Sequence, residues 1–218
     1  MIDMIRILYK DDMLAVAVKP AGVLSQPDRT GEDSMVTLLK AQLGREVFPV
    51  HRLDRAVGGV MVFAMTKAAA GKLSSLMGSE LFEKEYLTVV HGVPTEQKGE
   101  LSDYLYHDAR RNLTSVVPNT HKDAKEARLS YVWLAKDMEN AFSLVRVRLH
   151  TGRTHQIRVQ FASRGMPIVG DGKYGARDRM GLALWSARIS FRHPIRKKTM
   201  TFEALPDHTS APWDRFSL

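Results

Sequence analysis

The stretch His51-Arg52-Leu53-Asp54-Arg55 leads directly into an apolar run, Val57-Gly58-Gly59-Val60-Met61-Val62-Phe63-Ala64. None of the eleven residues that follow Arg55 is charged. A continuous apolar run of this kind predicts a strand that is buried on both faces. Asp54 would then be a carboxylate at the mouth of a buried strand, with guanidinium groups beside it that favour its charged form. Such a carboxylate suits a nucleophile, and the alternative is a simple ion pair with a neighbouring arginine at a surface loop.

The composition is that of a globular chain with excess positive charge. It has 218 residues, of which 44% are hydrophobic and 26% are charged. That length is enough to bury a sizeable core. Lys and Arg total 32 against 24 Asp and Glu, a formal net charge of +8. An excess of this sign favours a polyanion such as nucleic acid as a partner, because cations that contact phosphates release counterions.

Several kinds of site are excluded or disfavoured by what the sequence lacks. There is no Cys, which excludes disulfides and thiolate zinc sites. The eight His residues include no His-x-x-x-His pair, and no dinucleotide fingerprint is present, so we predict no metal and no cofactor. The first twelve residues lack the apolar core of a secretion signal, and no apolar run approaches the roughly 20 residues of a membrane span. We expect a cytoplasmic protein with no membrane partner.

Short apolar runs bounded by turn residues predict a chain made mainly of strands. We expect strands over residues 5–9, 13–18, 57–65, 83–90, 101–106, 113–117, 127–136, 142–150, 182–191 and 199–205. Helices are expected from the cap Ser34 to Leu43, from the cap Thr66 to Met77, and over Thr154 to Arg164. This pattern predicts an α+β fold, with a mainly antiparallel mixed β-sheet core flanked by helices and loops. We predict one domain over residues 1–218, with its core at about 5–205.

Arginines and polar residues also gather in a second stretch, His150-Thr151-Gly152-Arg153-Thr154-His155-Gln156-Ile157-Arg158. It brings an arginine to the end of a strand and then opens a helix, whose first backbone N–H groups suit an anion. The alternative is that Thr154 caps the helix and the arginines are solvated. A third stretch, residues 169–175, has three glycines but lacks the Gly-Lys-Ser/Thr ending of a phosphate loop, which argues against a nucleoside triphosphate site.

Five blocks occur in a fixed order along the chain. They are Lys19-Pro20-Ala21-Gly22, His51-Arg52-Leu53-Asp54, Lys84-Glu85-Tyr86-Leu87, the stretch 150–158, and Gly170-Asp171-Gly172-Lys173-Tyr174-Gly175. Together they resemble the RluA branch of the pseudouridine synthases, enzymes that isomerise uridine in structured RNA to pseudouridine. The resemblance runs from Ile7 to about Leu205. It implies the pseudouridine synthase catalytic fold, an isomerase without cofactor or metal, and rRNA or tRNA as partner.

The resemblance also implies roles for single residues. Asp54 matches the catalytic aspartate that attacks the target nucleoside, at C1′ or at C6. Tyr86 matches the tyrosine that stacks on the base and helps to remove the C5 proton, and Arg153 matches the basic residue paired with the aspartate. Arg52 matches an arginine that holds the target nucleotide out of its stack, because a stacked base hides its glycosidic bond. Further RNA contacts are expected at His155, Gln156, Arg158 and Lys122.

Two departures from the family pattern bear on these expectations. Family members commonly have Thr-Ser-Gly shortly after the aspartate, whereas this chain has Val57-Gly58-Gly59, which lacks two hydroxyls near the site. Many relatives also carry a small basic RNA-binding S4 domain ahead of the catalytic one, and here the catalytic fold is expected to begin at about residue 5. Target selection would then come from the catalytic domain itself, with the basic segment Arg110 to Lys125 as a candidate.

Two other functions are compatible with part of this pattern. The first is a catalytically inactive RNA-binding or assembly factor on the same fold. The second is a nucleoside hydrolase or glycosidase, which would need two acids placed across one bond. The presence of Asp54, Tyr86 and Arg153 together favours the isomerase. Nothing in the sequence demands more than a monomer.

Overall fold

A computed structural model describes residues 4–217 of the chain. In these residues the chain forms eleven strands and three α-helices, which confirms the predicted α+β class. It divides into two compact units, the first formed by residues 4–84 with Trp185–Pro206 and the second by Glu85–Leu184 with residues 207–217. The single domain over residues 1–218 stays a prediction. Across residues 4–217 no helix combines the length and apolar character needed to cross a bilayer.

The elements follow the predicted order along the chain. The strands are β1 (Ile7–Lys10), β2 (Leu14–Lys19), β3 (Phe48–Pro49), β4 (Gly58–Ala64), β5 (Phe82–His91), β6 (Lys98–Asp108), β7 (Leu113–Val117), β8 (Lys125–Asp137), β9 (Phe142–Leu149), β10 (Leu184–Arg192) and β11 (Thr199–Glu203). The helices are α1 (Met35–Leu43), α2 (Lys67–Ser75) and α3 (Gln156–Ala162). The two-residue strand β3 was not predicted, because two residues are too few to show a period.

The first unit is organised around β4. Its strands run in the order β1, β2, β4, β10 and β11, with β3 also beside β4, and every pair is antiparallel except β4 with β10. All seven residues of β4 are buried, which confirms the prediction of a strand covered on both faces. Leu14, Val62 and Phe191 of this sheet pack with Leu73 of α2 in one apolar core. The loop that carries Asp54 enters this strand directly.

The helix ends of the first unit follow the sequence signals. Ser34 caps α1 by accepting a hydrogen bond from the backbone N–H of Thr37, whose side chain in turn accepts from the backbone N–H of Ser34. Gly44 ends the helix in the left-handed conformation, at φ 66°. Thr66 caps α2 in the predicted way. Polar side chains at these positions satisfy backbone donors that the helix itself leaves open.

The second unit is an antiparallel sheet in the order β5, β9, β8, β6 and β7. In β9, Arg146 is exposed while its neighbours Val145 and Val147 are buried, because successive side chains of a strand face opposite sides of the sheet. Helix α3 packs on this sheet, and the rings of Phe161 and Tyr131 lie 5.8 Å apart in an edge-on arrangement. Both the sheet and the helix lead into the loop that carries Arg153.

Helix α3 begins two residues later than the sequence predicted. His155 precedes it in the left-handed conformation, at φ 53°, and makes no side-chain cap. The carbonyl of Thr154, the expected cap, instead accepts a hydrogen bond from the hydroxyl of Thr114. This contact with β7 fixes the chain before the helix starts.

Candidate active site

The segment that carries Asp54 is held by hydrogen bonds on both sides of this residue. The buried hydroxyl of Ser25 donates to the carbonyl of Leu53 (2.7 Å) and accepts from its N–H (3.0 Å). On the other side, the N–H of Val57 donates to the carbonyl of Asp54 (3.0 Å). Asp54 is half-buried. The local fold therefore fixes the backbone of this aspartate and leaves part of its side chain accessible.

Lys19 lies beneath this segment and is completely buried. Its ammonium donates to the carbonyls of Pro20 (2.9 Å) and Arg55 (3.0 Å). Burial lowers the pKa of Lys19 to about 8, since the attraction of Asp54 opposes this effect only in part and the charge of Arg55 adds to it. In the sequence, Lys19-Pro20-Ala21-Gly22 is only one of the five family blocks, with no role implied for its lysine. The burial of Lys19 and its bond to the residue after Asp54 make it a functional candidate.

The arginines that flank Asp54 are in different situations. Arg52 is exposed to solvent, as an RNA-contacting residue would need to be. Arg55 forms a two-pronged ion pair with Glu32, and its Nε donates to the carbonyl of Gly22 (3.0 Å). The guanidinium of Arg55 thus stabilises the loop.

His51, at the start of the motif, is a buried neutral side chain. Its Nε2 accepts a hydrogen bond from the N–H of Val62 in β4 (3.2 Å). Burial, with a smaller contribution from the charge of Lys84, lowers the pKa of His51 to about 3. The imidazole therefore anchors the motif to the strand and carries no charge at neutral pH.

Tyr86 belongs to the second unit and sits in β5, opposite Val147 of β9. Its side chain is buried, with 6% of its surface exposed. Residues of a strand alternate between the two faces of the sheet, so Tyr86 faces away from its neighbours Glu85 and Leu87. The strand holds the ring in a fixed position.

The loop of Arg153 is positioned by Gln156. The side-chain oxygen of Gln156 accepts from the N–H of Arg153 (3.0 Å) and from the hydroxyl of Thr151 (2.8 Å). Its amide nitrogen donates to the carbonyl of Arg128 in β8 (3.1 Å). Arg153 itself is exposed, and its Nε donates to the carbonyl of Glu126 (2.9 Å). This bond leaves the two terminal nitrogens of the guanidinium to contact an anion.

His155 and Arg158, two further residues of this motif, belong to a buried polar network. Arg158 makes a two-pronged ion pair with Asp171, with both contacts at 2.7 Å, and its guanidinium lies 5.0 Å from the ring centre of Tyr174. The Nδ1 of His155 is 2.8 Å from the hydroxyl of Tyr174, which also accepts from the N–H of Thr114 (2.9 Å). The network joins α3 to the glycine-rich loop of residues 170–175.

The predicted RNA contacts therefore fall into two groups. Arg52 and Lys122 are exposed, whereas His155, Gln156 and Arg158 each expose less than a tenth of their surface. Within the second group, Gln156 positions Arg153, whereas His155 and Arg158 join α3 to the loop of residues 170–175. Direct RNA contact by these three residues stays a prediction. The catalytic roles of Asp54, Tyr86 and Arg153 stay predictions too. Among the residues described, no three His, Asp or Glu side chains are grouped as metal ligands.

Comparison with known proteins decides the family. Residues 13–163 match the sequence profile described as RNA pseudouridylate synthase. This chain belongs to that family. The match confirms the predicted class of enzyme, an isomerase that converts uridine in RNA to pseudouridine, and the predicted resemblance to the RluA branch.

Individual relatives are similar over nearly their full length. The dual-specificity RNA pseudouridine synthase RluA of Escherichia coli O157:H7 is 33% identical, over 92% of this chain and 93% of its own. The tRNA pseudouridine synthase C of Vibrio parahaemolyticus is 31% identical, over 94% of this chain and 92% of its own. Among solved structures, human RNA pseudouridylate synthase domain containing 1 superposes with a TM-score of 0.80 at 23% identity, covering 96% of this chain and 86% of that one. This last similarity confirms the fold.

Proposed function

We propose that this RNA pseudouridine synthase uses Asp54 as its nucleophile on specific uridines in structured RNA. The family match over residues 13–163 carries this proposal, because Asp54, Tyr86 and Arg153 all lie within it and in the order of the family's motifs. The local geometry supports it. Hydrogen bonds on both sides of Asp54 fix its backbone, and a nucleophile that is already positioned loses less entropy when it attacks.

The reaction needs only side chains of this chain. Asp54 bonds to the target nucleoside at C1′ or C6, and the bond between C1′ and N1 of the base breaks. The detached base turns, its C5 bonds to C1′, and Asp54 is released. The proton leaves C5 and N1 takes up a proton, so that the product is an isomer of the substrate. Tyr86 stacks on the base and assists this proton loss, and Arg153 supplies the positive charge that accompanies the aspartate. No net oxidation or reduction occurs, so we expect no cofactor or metal.

We propose that the RNA contacts come from exposed cations. Arg52 holds the target nucleotide out of its stack, and Lys122 contacts the backbone. The Vibrio relative is named a tRNA pseudouridine synthase, and the Escherichia coli relative a dual-specificity RNA pseudouridine synthase. The proposed substrate class is tRNA or rRNA. We further propose a cytoplasmic monomer that acts without a membrane partner.

The test incubates the unchanged chain, or its variant Asp54→Asn, with RNA from cells that lack this protein. Pseudouridine would be mapped along the RNA, free uracil would be measured, and RNA binding would be followed in parallel. We expect pseudouridine at defined positions with the unchanged chain and none with Asp54→Asn, although both bind RNA. The matched control is Asp33→Asn, which removes an exposed carboxylate of the same unit and should retain activity.

Each other outcome selects a different function. Equal behaviour of the unchanged chain and Asp54→Asn, with RNA binding intact, would identify an RNA-binding or assembly factor. Release of uracil without pseudouridine would identify a glycosidase.

A further inference from the structure

A groove of about 630 Å³ lies next to Arg153, entirely within the second unit. It is bounded by the β6–β7 hairpin on one side and by the turn that precedes β8 on the other. Lys122, Lys125 and Arg153 place three positive charges along it, against the single carboxylate of Asp123. Its volume falls in the range of about 300–1,000 Å³ that is typical of small-molecule sites.

An aromatic side chain forms part of the groove wall. Tyr106 lines the groove and is half-buried, and its ring centre lies 4.6 Å from that of exposed His121. Cations combined with aromatic rings are typical of proteins that bind single-stranded nucleic acid, because phosphates contact the cations while unstacked bases lie on the rings.

Hydrogen bonds hold both walls of the groove in place. On one side, Thr114 is bonded to the carbonyl of Thr154 (2.9 Å) and to the hydroxyl of Tyr174 (2.9 Å). The turn before β8 is closed by a bond from the N–H of Ala124 to the carbonyl of His121 (3.0 Å). The groove is thus formed before a ligand arrives, so less ordering is needed on binding.

From these features we infer that the groove binds a single-stranded nucleotide that flanks the target uridine. Its base stacks on Tyr106, and its phosphates contact Lys122 and Lys125. This inference rests on the proposed function, since Arg153, which lines the groove, is the residue we pair with the catalytic aspartate. Asp123 sits among the cations and repels the same phosphates.

The test measures binding of octauridylate, with a blunt RNA duplex of the same length for comparison, over a series of salt concentrations. Asp54→Asn serves as the background, so that no turnover occurs. Lys122→Ala should weaken octauridylate binding and reduce its salt slope by about 0.7. Asp123→Asn should tighten binding, which loss of structure would not do. Lys98→Ala removes an exposed lysine of the same unit that lies outside the groove, and should leave binding unchanged.

Stacking is tested separately from charge. Tyr106→Leu should weaken octauridylate binding about tenfold, whereas Tyr106→Phe should retain it, because only the ring is needed. Octauridylate that carries 5-iodouridine should cross-link to Tyr106 or His121 on irradiation, and the duplex should not. If Tyr106→Leu does not fold, the cross-link and the variants at the exposed positions 122 and 123 still test whether RNA binds in the groove.

Failure of this inference differs from failure of the proposed function. Equal effects of Lys122→Ala and Lys98→Ala, or cross-links only outside the groove, would overturn the inference even if the unchanged chain makes pseudouridine. If octauridylate binds in the groove but the unchanged chain makes no pseudouridine in any RNA, the inference about the groove is supported and only the proposed function is overturned. Equal affinity for octauridylate and the duplex would also overturn the inference, because stacked bases cannot use Tyr106.

Discussion

Lys19 carries its charge in the protein interior, and hydrogen bonds compensate for its burial. Two backbone carbonyls accept hydrogen bonds from its ammonium, and one of them belongs to Arg55, the residue that follows Asp54. With a pKa of about 8, the side chain is mostly protonated at pH 7. The buried charge therefore supports the loop of the nucleophile both through a hydrogen bond and by attraction to the carboxylate of Asp54.

We expect turnover to fall as the pH rises through about 8, because Lys19 then loses its charge. The variant Lys19→Met should lack this decrease and should have a kcat at pH 7 at least about tenfold lower, since one charge-assisted hydrogen bond contributes about 1.5–3 kcal/mol. The measurement is a pH profile of kcat for both proteins. Lys72→Met, an exposed lysine in α2, is the control and should behave like the unchanged chain.

Unfolding would not explain such a decrease. The pKa of Lys19 is about 8 in the folded state, against an ordinary value of 10.5. Between these two pH values the unfolded chain therefore binds more protons than the folded one. This group then makes the folded state more stable as the pH rises. A pH profile of Lys19→Met identical to that of the unchanged chain would contradict the role of Lys19.

At the scale of elements, the contact between β4 and β10 depends on two glycines. A Cβ atom at Gly58 would lie 2.3 Å from the ring of Trp185, and one at Gly59 would lie 2.2 Å from the carbonyl oxygen of Ser186. Gly59 also has φ 121°, a conformation that favours glycine. Trp185 thus occupies the space that a side chain at position 58, such as the serine of the expected family pattern, would need.

We expect Gly58→Ala to lower the free energy of unfolding by about 1–3 kcal/mol through overpacking. Trp185→Leu should recover part of this loss in the double variant, because it removes the clashing ring. Gly59→Ala should gain nothing from Trp185→Leu, since its clash is with backbone. Urea unfolding of the unchanged chain, the three single variants and the two double variants measures these effects. As a control, Gly71→Ala in α2, where a Cβ meets nothing within 4 Å, should be neutral or stabilising. Additive effects of Gly58→Ala and Trp185→Leu would contradict the contact.

The sequence predicts those features of the elements that depend on local contacts. Burial of β4 and the caps Ser34 and Thr66 were predicted because each depends on residues close together in the sequence. The late start of α3 was not predicted, because it depends on a contact between Thr154 and Thr114, which is distant in the sequence. For the same reason the candidate site was predicted by motif, while its buried supports, such as Lys19 and the pair of Arg158 with Asp171, required the three-dimensional structure.

At the scale of the whole molecule, Asp11 joins parts of the chain that are far apart in the sequence. Its carboxylate accepts from the N–H groups of Met13 (2.8 Å) and Leu14 (3.0 Å) and from the hydroxyl of Tyr9 (2.8 Å). It also lies 2.9 Å from Nε2 of His193, in the turn between β10 and β11. Burial alone would raise the pKa of Asp11, but these hydrogen bonds outweigh it and lower the pKa to about 2.

This aspartate should contribute to acid resistance. Its pKa is lower in the folded state than the usual 3.8, so its contribution is present above about pH 4 and is lost as the pH falls towards 2. We expect Asp11→Asn to reduce the free energy of unfolding at pH 7 by about 2 kcal/mol and to flatten its dependence on pH between 4 and 2. Denaturant titrations at several pH values would measure this, with Asp33→Asn as control. An unchanged slope in Asp11→Asn would show that other carboxylates govern acid unfolding.

The ring of Trp185 beside Gly58 also couples these two positions, so that a change at one decides what the other tolerates. Restoring serine at position 58 first would create a collision, and shrinking the tryptophan first would leave a void in the sheet. We expect each single exchange to be less stable than the pair, so serine at position 58 should be introduced together with a smaller residue at position 185. A mutational scan that changes positions one at a time would therefore record serine at position 58 as destabilising, and would miss that a smaller residue at position 185 makes room for it.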